Sequence, residues 1–259
     1  MRHNQVSKSN GLALRCAGEG PLLLLLHGLG SSSLDWQAQI DRFCEHYRVV
    51  ALDLRGHGQS IQEGPFDVMT LAADVVSWLD TQPEPAWVVG LSLGAMVALE
   101  LALQRPHKVQ GLVLVNGVSE FLLETPKERE RYAQRLKWLR WFGMRPLAWW
   151  LGRELFPGPD LAQVRRTFRL RFVRSNRKKI YRALLDALPG WSVRARLGQI
   201  WQPVAIISTR HDYLPLAKRV EQFAALPNAT IHTPNGHHAW PAEDPSGFNH
   251  LLHRILETH

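Results

Sequence analysis

Residues 87–104 constrain this chain more than any other stretch. An apolar run, Trp87-Val88-Val89-Gly90-Leu91, meets Ser92 and passes at once into a helical apolar pattern over Leu93–Gln104, which stops ahead of Pro106. A run with no polar face predicts a strand buried on both sides, so the sheet that holds it needs a helical layer above and below. Reversing from strand to helix within one residue demands a strained backbone at Ser92 and no side-chain bulk beside it, which Gly90 and Gly94 satisfy. Gly90-Leu91-Ser92-Leu93-Gly94 fits the pattern Gly-x-Ser-x-Gly in the strand-to-helix setting that gives the pattern meaning. Such a turn holds the serine hydroxyl clear of the sheet, above a helix N-terminus whose N–H groups and partial positive charge favour an anion.

The rest of the chain fits the same architecture. Leu22–Leu26 and Arg48–Leu52 predict buried strands, with a crossover helix between them that starts after the hydroxyls of Ser31, Ser32 and Ser33 and carries Leu34, Trp36 and Ile40. Val109–Val115 predicts a fourth strand. Residues 204–208 and 230–232 predict strands, and residues 216–225 and 248–257 predict helices. Strand and helix alternate, which implies an α/β fold with a mostly parallel, doubly wound sheet. The 45% hydrophobic and 21% charged content excludes disorder. No apolar run approaches the roughly 18 residues that span a bilayer, and residues 1–10 lack a signal peptide's apolar stretch, so a cytoplasmic protein is expected. Cys16 and Cys44 match no metal-ligand spacing and are expected to be small buried residues.

Residues 120–200 break the alternation. They hold 19 Lys and Arg against 7 Asp and Glu, whereas the remainder holds 12 against 16, so the overall charge of +8 arises in this segment. It also contains Trp138, Trp141, Trp149, Trp150 and Trp191, half of the ten tryptophans. An inserted helical cap over 120–200 is expected, on a core made of residues 1–119 and 201–259. The aromatic face of residues 135–156, with Trp138, Trp141, Trp149 and Trp150, is expected to wall an apolar substrate site. The arginines are read as a solvated face, as a surface for an acidic partner such as an acyl carrier protein or coenzyme A ester, or as a contact with an anionic membrane. Nucleic acid is not expected, because no binding motif accompanies the charge.

A serine hydroxyl needs a base that a third group orients. In the chain order Ser, Asp, His, the loop after residues 204–208 offers Asp212, and Asn235-Gly236-His237-His238-Ala239-Trp240-Pro241 offers two imidazoles. With Ser92 in its elbow, His27-Gly28-Leu29-Gly30 and Asp53-Leu54-Arg55-Gly56-His57-Gly58-Gln59-Ser60, the chain resembles the α/β-hydrolase superfamily, as a serine-nucleophile, esterase-like member with an inserted cap. The resemblance covers nearly all of the sequence outside the cap. It implies backbone N–H groups of Leu29 and Leu93 as oxyanion donors, Ser92 as nucleophile and Asp212 as acid. For the base, the Gly-His pair points to His237, whereas the spacing to Glu243, Pro245 and Phe248 and the form His238-Ala239-Trp240-Pro241 point to His238. His238 is preferred.

Similar enzymes that split carbon–halogen bonds or epoxides carry aspartate at the elbow, so Ser92 disfavours both chemistries. Ester or thioester cleavage through an acyl-enzyme is expected, with no metal or organic cofactor. Hydrolysis of a carbon–carbon bond or a lactone by the same triad is the alternative, and a catalytically silent binding module is the alternative of another class. His27, Asp53 and His57 are expected to brace loops, and Asp74 and Glu100 to be solvated or to support their helices.

Overall fold

The computed structural model describes residues 5–258, so part of the N-terminal stretch read above lies outside the described residues. Eight strands form one sheet: β1 (Gln5–Ser9), β2 (Leu12–Ala17), β3 (Leu22–Leu26), β4 (Arg48–Leu52), β5 (Ala86–Leu91), β6 (Val109–Val115), β7 (Val204–Ile207) and β8 (Ala229–His232). Their order across the sheet is β1-β2-β4-β3-β5-β6-β7-β8. β1 and β2 pair antiparallel at one edge, and every pairing from β4 to β8 is parallel. This is the α/β-hydrolase fold.

The helices are α1 (Gln37–Phe43), α2 (Val68–Leu79), α3 (Leu93–Gln104), α4 (Pro126–Phe142), α5 (Met144–Leu155), α6 (Ala162–Ser175), α7 (Lys178–Asp186), α8 (Leu216–Glu221), α9 (Trp240–Glu243) and α10 (Pro245–Thr258). The five leucines of β3 show how the layers form. Leu22, Leu24 and Leu26 enter one core with α2, α3 and part of the α4–α7 segment, while Leu23 and Leu25 enter a second with α1 and α10. Successive side chains of a strand alternate between faces, so an unbroken apolar run requires these two covers.

Three local expectations need correction. The hydroxyls ahead of α1 do not cap it: Ser31 bonds Asp35, and the Ser33 amide donates to the Asp53 carboxylate at 2.7 Å. A 3-10 turn at Ser33–Trp36 precedes α1 instead. α8 is shorter than residues 216–225. Glu100 is fully buried, not solvated; it accepts from Trp191 Nε1 at 3.1 Å and Arg196 Nη2 at 3.0 Å, which ties α3 to the chain beyond α7. Asp74 makes a two-point ion pair with Arg55, at 2.6 and 2.7 Å. Cys44 is buried and Cys16 is half-buried, and neither is in a disulfide.

Helices α4 to α7 leave the sheet after β6 and return before β7. They seat on the loops after β3 and β4. Asn176 Nδ2 donates to the Gly30 carbonyl at 2.8 Å, Arg171 Nη1 donates to Leu34 O and Asp35 Oδ1 at 2.9 and 2.8 Å, and the Gly58 amide donates to Ser175 O at 3.0 Å. Among the described residues no helix is long and apolar enough to cross a membrane.

Candidate active site

Ser92 sits between β5 and α3 with φ 54° and ψ −110°, a backbone state that costs a non-glycine residue about 1–3 kcal/mol and persists only where its surroundings enforce it. The enforcement is visible. Its amide donates to Val115 O on β6 at 2.9 Å, and its carbonyl accepts from Ala95 and Met96 in the first turn of α3. A Cβ on Gly90 would lie 2.4 Å from Gly94 O, and a Cβ on Gly94 would lie 2.2 Å from Leu26 O, so both flanking positions exclude any side chain.

The loop after β3 comes up beside this turn. A Cβ on Gly28 would sit 3.5 Å from Ser92 Cβ, and Leu29, Leu93 and Ser92 line the same cavity. Two buried histidines fix that loop. His27 Nε2 accepts from the Leu54 amide at 3.0 Å and Nδ1 donates to Gly28 O at 2.8 Å; His57 Nε2 accepts from the Gly30 amide at 3.1 Å and Nδ1 donates to Arg55 O at 3.0 Å. Each ring therefore works as a neutral imidazole with one donor and one acceptor nitrogen. Burial pushes the His57 pKa down to about 3, helped by the neighbouring His27 ring, and burial lowers His27 against the pull of Asp53.

Of the two adjacent imidazoles, the structure pairs His238 with Asp212. His238 Nδ1 lies 3.0 Å from both oxygens of a carboxylate whose side chain is 0% exposed. His237 Nδ1 instead pairs with Glu243 at 2.8 Å, and its amide donates to the same carboxylate. Burial alone would raise the Asp212 carboxyl; the His238 ring, Arg219 and the Tyr213 amide outweigh it and hold the group below the usual carboxylate range.

Three residues that sequence reasoning missed complete the surroundings. Arg219, 1% exposed, stands behind the acid with Nη1 3.6 Å from Asp212. Asn116, at φ 46° just beyond β6, joins the two loops: Nδ2 donates to the carbonyls of His238 and His237 at 2.8 and 3.3 Å, while Oδ1 accepts from the Thr209 amide and Arg219 Nη1, each at 2.9 Å. Tyr213 Oη lies 3.1 Å from His238 Nε2. Tyr213 directly follows the acid and Arg219 lies seven residues beyond it, whereas Asn116 reaches both loops only through contacts across more than ninety residues.

Above these groups lies a cavity of about 570 Å³, roofed by α4 to α6, whose lining includes Met96, Val118, Phe121, Leu151 and Phe168 beside Ser92 and His238. That volume and its largely apolar wall suit a small organic substrate. Of the four tryptophans expected there, only Trp150 lines it. Trp138 stacks behind Trp150 at 6.4 Å, whereas Trp141 and Trp149 are 68% and 45% exposed, under Arg140 and under Arg153 and Arg169 respectively. The cause is helical phase: Leu147, Ala148 and Leu151 turn inward on α5, and Trp149, about 100° per residue further on, faces out.

The sequence matches the model of the alpha/beta hydrolase family over residues 23–251, and the chain belongs to that family. Among its relatives, "Putative carbamate hydrolase RutD" of Agrobacterium fabrum is 28% identical over 258 residues, spanning 93% of this chain and 95% of that protein. Pimeloyl-[acyl-carrier protein] methyl ester esterase of Methylococcus capsulatus is 39% identical over 114 residues, 44% of each chain. Among solved structures, the enol-lactonase from Burkholderia xenovorans LB400 superposes with a TM-score of 0.86 at 25% identity, covering 98% of this chain and 100% of that one. These relatives are hydrolases, and the chain is a hydrolase of the same family.

Proposed function

We propose that the protein cleaves a carboxylic ester or thioester with Ser92 as nucleophile and water as the final acyl acceptor. The observation that carries this reading is the strained Ser92 turn at the floor of an apolar cavity that His238, paired with the buried Asp212, also lines. Ser92 Oγ attacks the acyl carbon while its proton passes to His238 Nε2. Asp212 holds Nδ1–H and so leaves Nε2 free to accept. The amides of Leu29 and Leu93 take the oxyanion, where donors placed in advance contribute most. The imidazolium then gives its proton to the leaving oxygen or sulfur, and an activated water repeats the sequence on the acyl-enzyme.

A lactone is the second reading, favoured by similarity to the Burkholderia enol-lactonase along the whole chain. A lactone is a cyclic ester, and the same steps open it. The test is initial rate on p-nitrophenyl esters from acetate to palmitate, with a lactone and an aryl carbamate alongside, for wild type and Ser92→Ala. Turnover that peaks at one acyl length and vanishes in Ser92→Ala supports the ester reading, and turnover of the lactone alone supports the second. Turnover that survives Ser92→Ala overturns both.

A further inference from the structure

The reacting end of His238 is already occupied. Asp212 is a pure acceptor, so Nδ1 carries the ring proton and Nε2 accepts; the group donating to it at 3.1 Å is the Tyr213 phenol. Among the described hydrogen bonds none joins Ser92 Oγ to Nε2, whose partner is the phenol. The two rings lie 4.4 Å apart, and the Arg131 guanidinium lies 4.2 Å from the centre of the same tyrosine ring. Arg131 belongs to α4 and is ion-paired to Glu154 of α5, so helices of the roof hold the phenol down.

In the reaction proposed above, the leaving oxygen shares a carbon with Ser92 Oγ and must come within about 3 Å of Nε2 to receive its proton. The phenol oxygen occupies that small volume, and two oxygens cannot share it. We infer that Tyr213 is a guard on the base: its phenol holds Nε2 in the free enzyme, an ester displaces it on entry, and Arg131 ties that displacement to the position of α4. Tyr213 thereby selects substrates whose leaving group can take over the place of the phenol. The phenol keeps its proton throughout, and no bond is made or broken at Tyr213.

This rests on the Ser92–His238 reading, and the experiment separates the two. Wild type, Tyr213→Phe, Arg131→Met and the double variant are compared for kcat and KM on p-nitrophenyl butyrate and for the rate of labelling by an alkyl fluorophosphonate, with melting temperature alongside. The guard lowers the fraction of free enzyme ready to bind, so its removal acts on KM. Tyr213→Phe is expected to raise kcat/KM and the labelling rate about 2- to 10-fold with kcat little changed, the range that one neutral hydrogen bond represents. Arg131→Met is expected to move the same way, and the double variant to gain no more than the larger single effect. A Tyr213→Phe protein that does not fold leaves Arg131→Met carrying the same expectation. A tenfold or greater fall in kcat for Tyr213→Phe overturns the guard and makes the phenol a required proton carrier. Unchanged rates in both single variants also overturn it. Wild type that neither turns over nor labels overturns the serine reading, and the guard with it.

Discussion

Asn116→Ala is the most informative single substitution away from the reacting atoms. Removing the amide strips a partner from the Thr209 N–H and Arg219 Nη1, both in buried residues, and from the carbonyls of His237 and His238. A buried polar group left without a partner costs about 1–3 kcal/mol. Arg219 keeps Leu214 O and Thr209 O, and the His237 carbonyl keeps the Thr209 hydroxyl. The sum therefore lies near the lower end, about 3–5 kcal/mol. Alanine at a left-handed φ adds roughly 1–2 kcal/mol, which Asn116→Gly avoids. Urea unfolding followed by circular dichroism should show both variants destabilised, alanine more than glycine. Because the same amide positions the His238 loop, kcat/KM in the folded protein should fall about 10- to 100-fold in both. A loss below about 1 kcal/mol with unchanged kcat/KM would refute the idea that Asn116 couples the two loops.

Other expectations are simpler to state. The folded pKa of His57 is depressed to about 3, so its contribution to stability is present above the unfolded value near 6.5 and is lost as pH falls toward 3. By pH 4 that loss amounts to about 3 kcal/mol, with His27 adding in the same direction, so the urea midpoint should drop steadily below pH 6.5; a midpoint flat from pH 7 to 4.5 contradicts buried neutral histidines. His238→Ala should lower kcat/KM at least about a thousandfold, whereas His237→Ala, which loses its pairing with Glu243 and a ring contact with His211, should stay within about tenfold. The reverse ranking would reassign the base. If the basic face of residues 120–200 meets an acidic carrier or anionic lipid, raising salt to about 0.5 M should slow hydrolysis of a carrier-linked or vesicle-borne ester and spare a small neutral one. Equal salt response of the two substrates contradicts such a partner.

Parts of this molecule are legible in its residue order for identifiable reasons. β3, β4, α3 and β6 stand out because burial on both sides leaves few polar residues to blur the pattern, and none in the five leucines of β3. The β1–β2 hairpin escapes the apolar signal, since it lies at the sheet edge and Val6 is exposed. Yet Asn10-Gly11, both at positive φ, is the turn chemistry that could have found it. Ser92 and Asp212 follow from local context and chain order. The tryptophan faces do not, because the direction of a side chain on an inserted helix depends on a register that only packing sets. Asn116 and Arg219 read as an ordinary strand-end asparagine and helical arginine until the fold brings them to the loops of Asp212 and His238.

The most direct test of the central claim is the mass of the intact protein after reaction with an alkyl fluorophosphonate, followed by mapping of the modified peptide. The account predicts one adduct, on Ser92, absent from Ser92→Ala and strongly slowed in His238→Ala. An unmodified wild-type protein that is folded, or an adduct on any other residue, would contradict it.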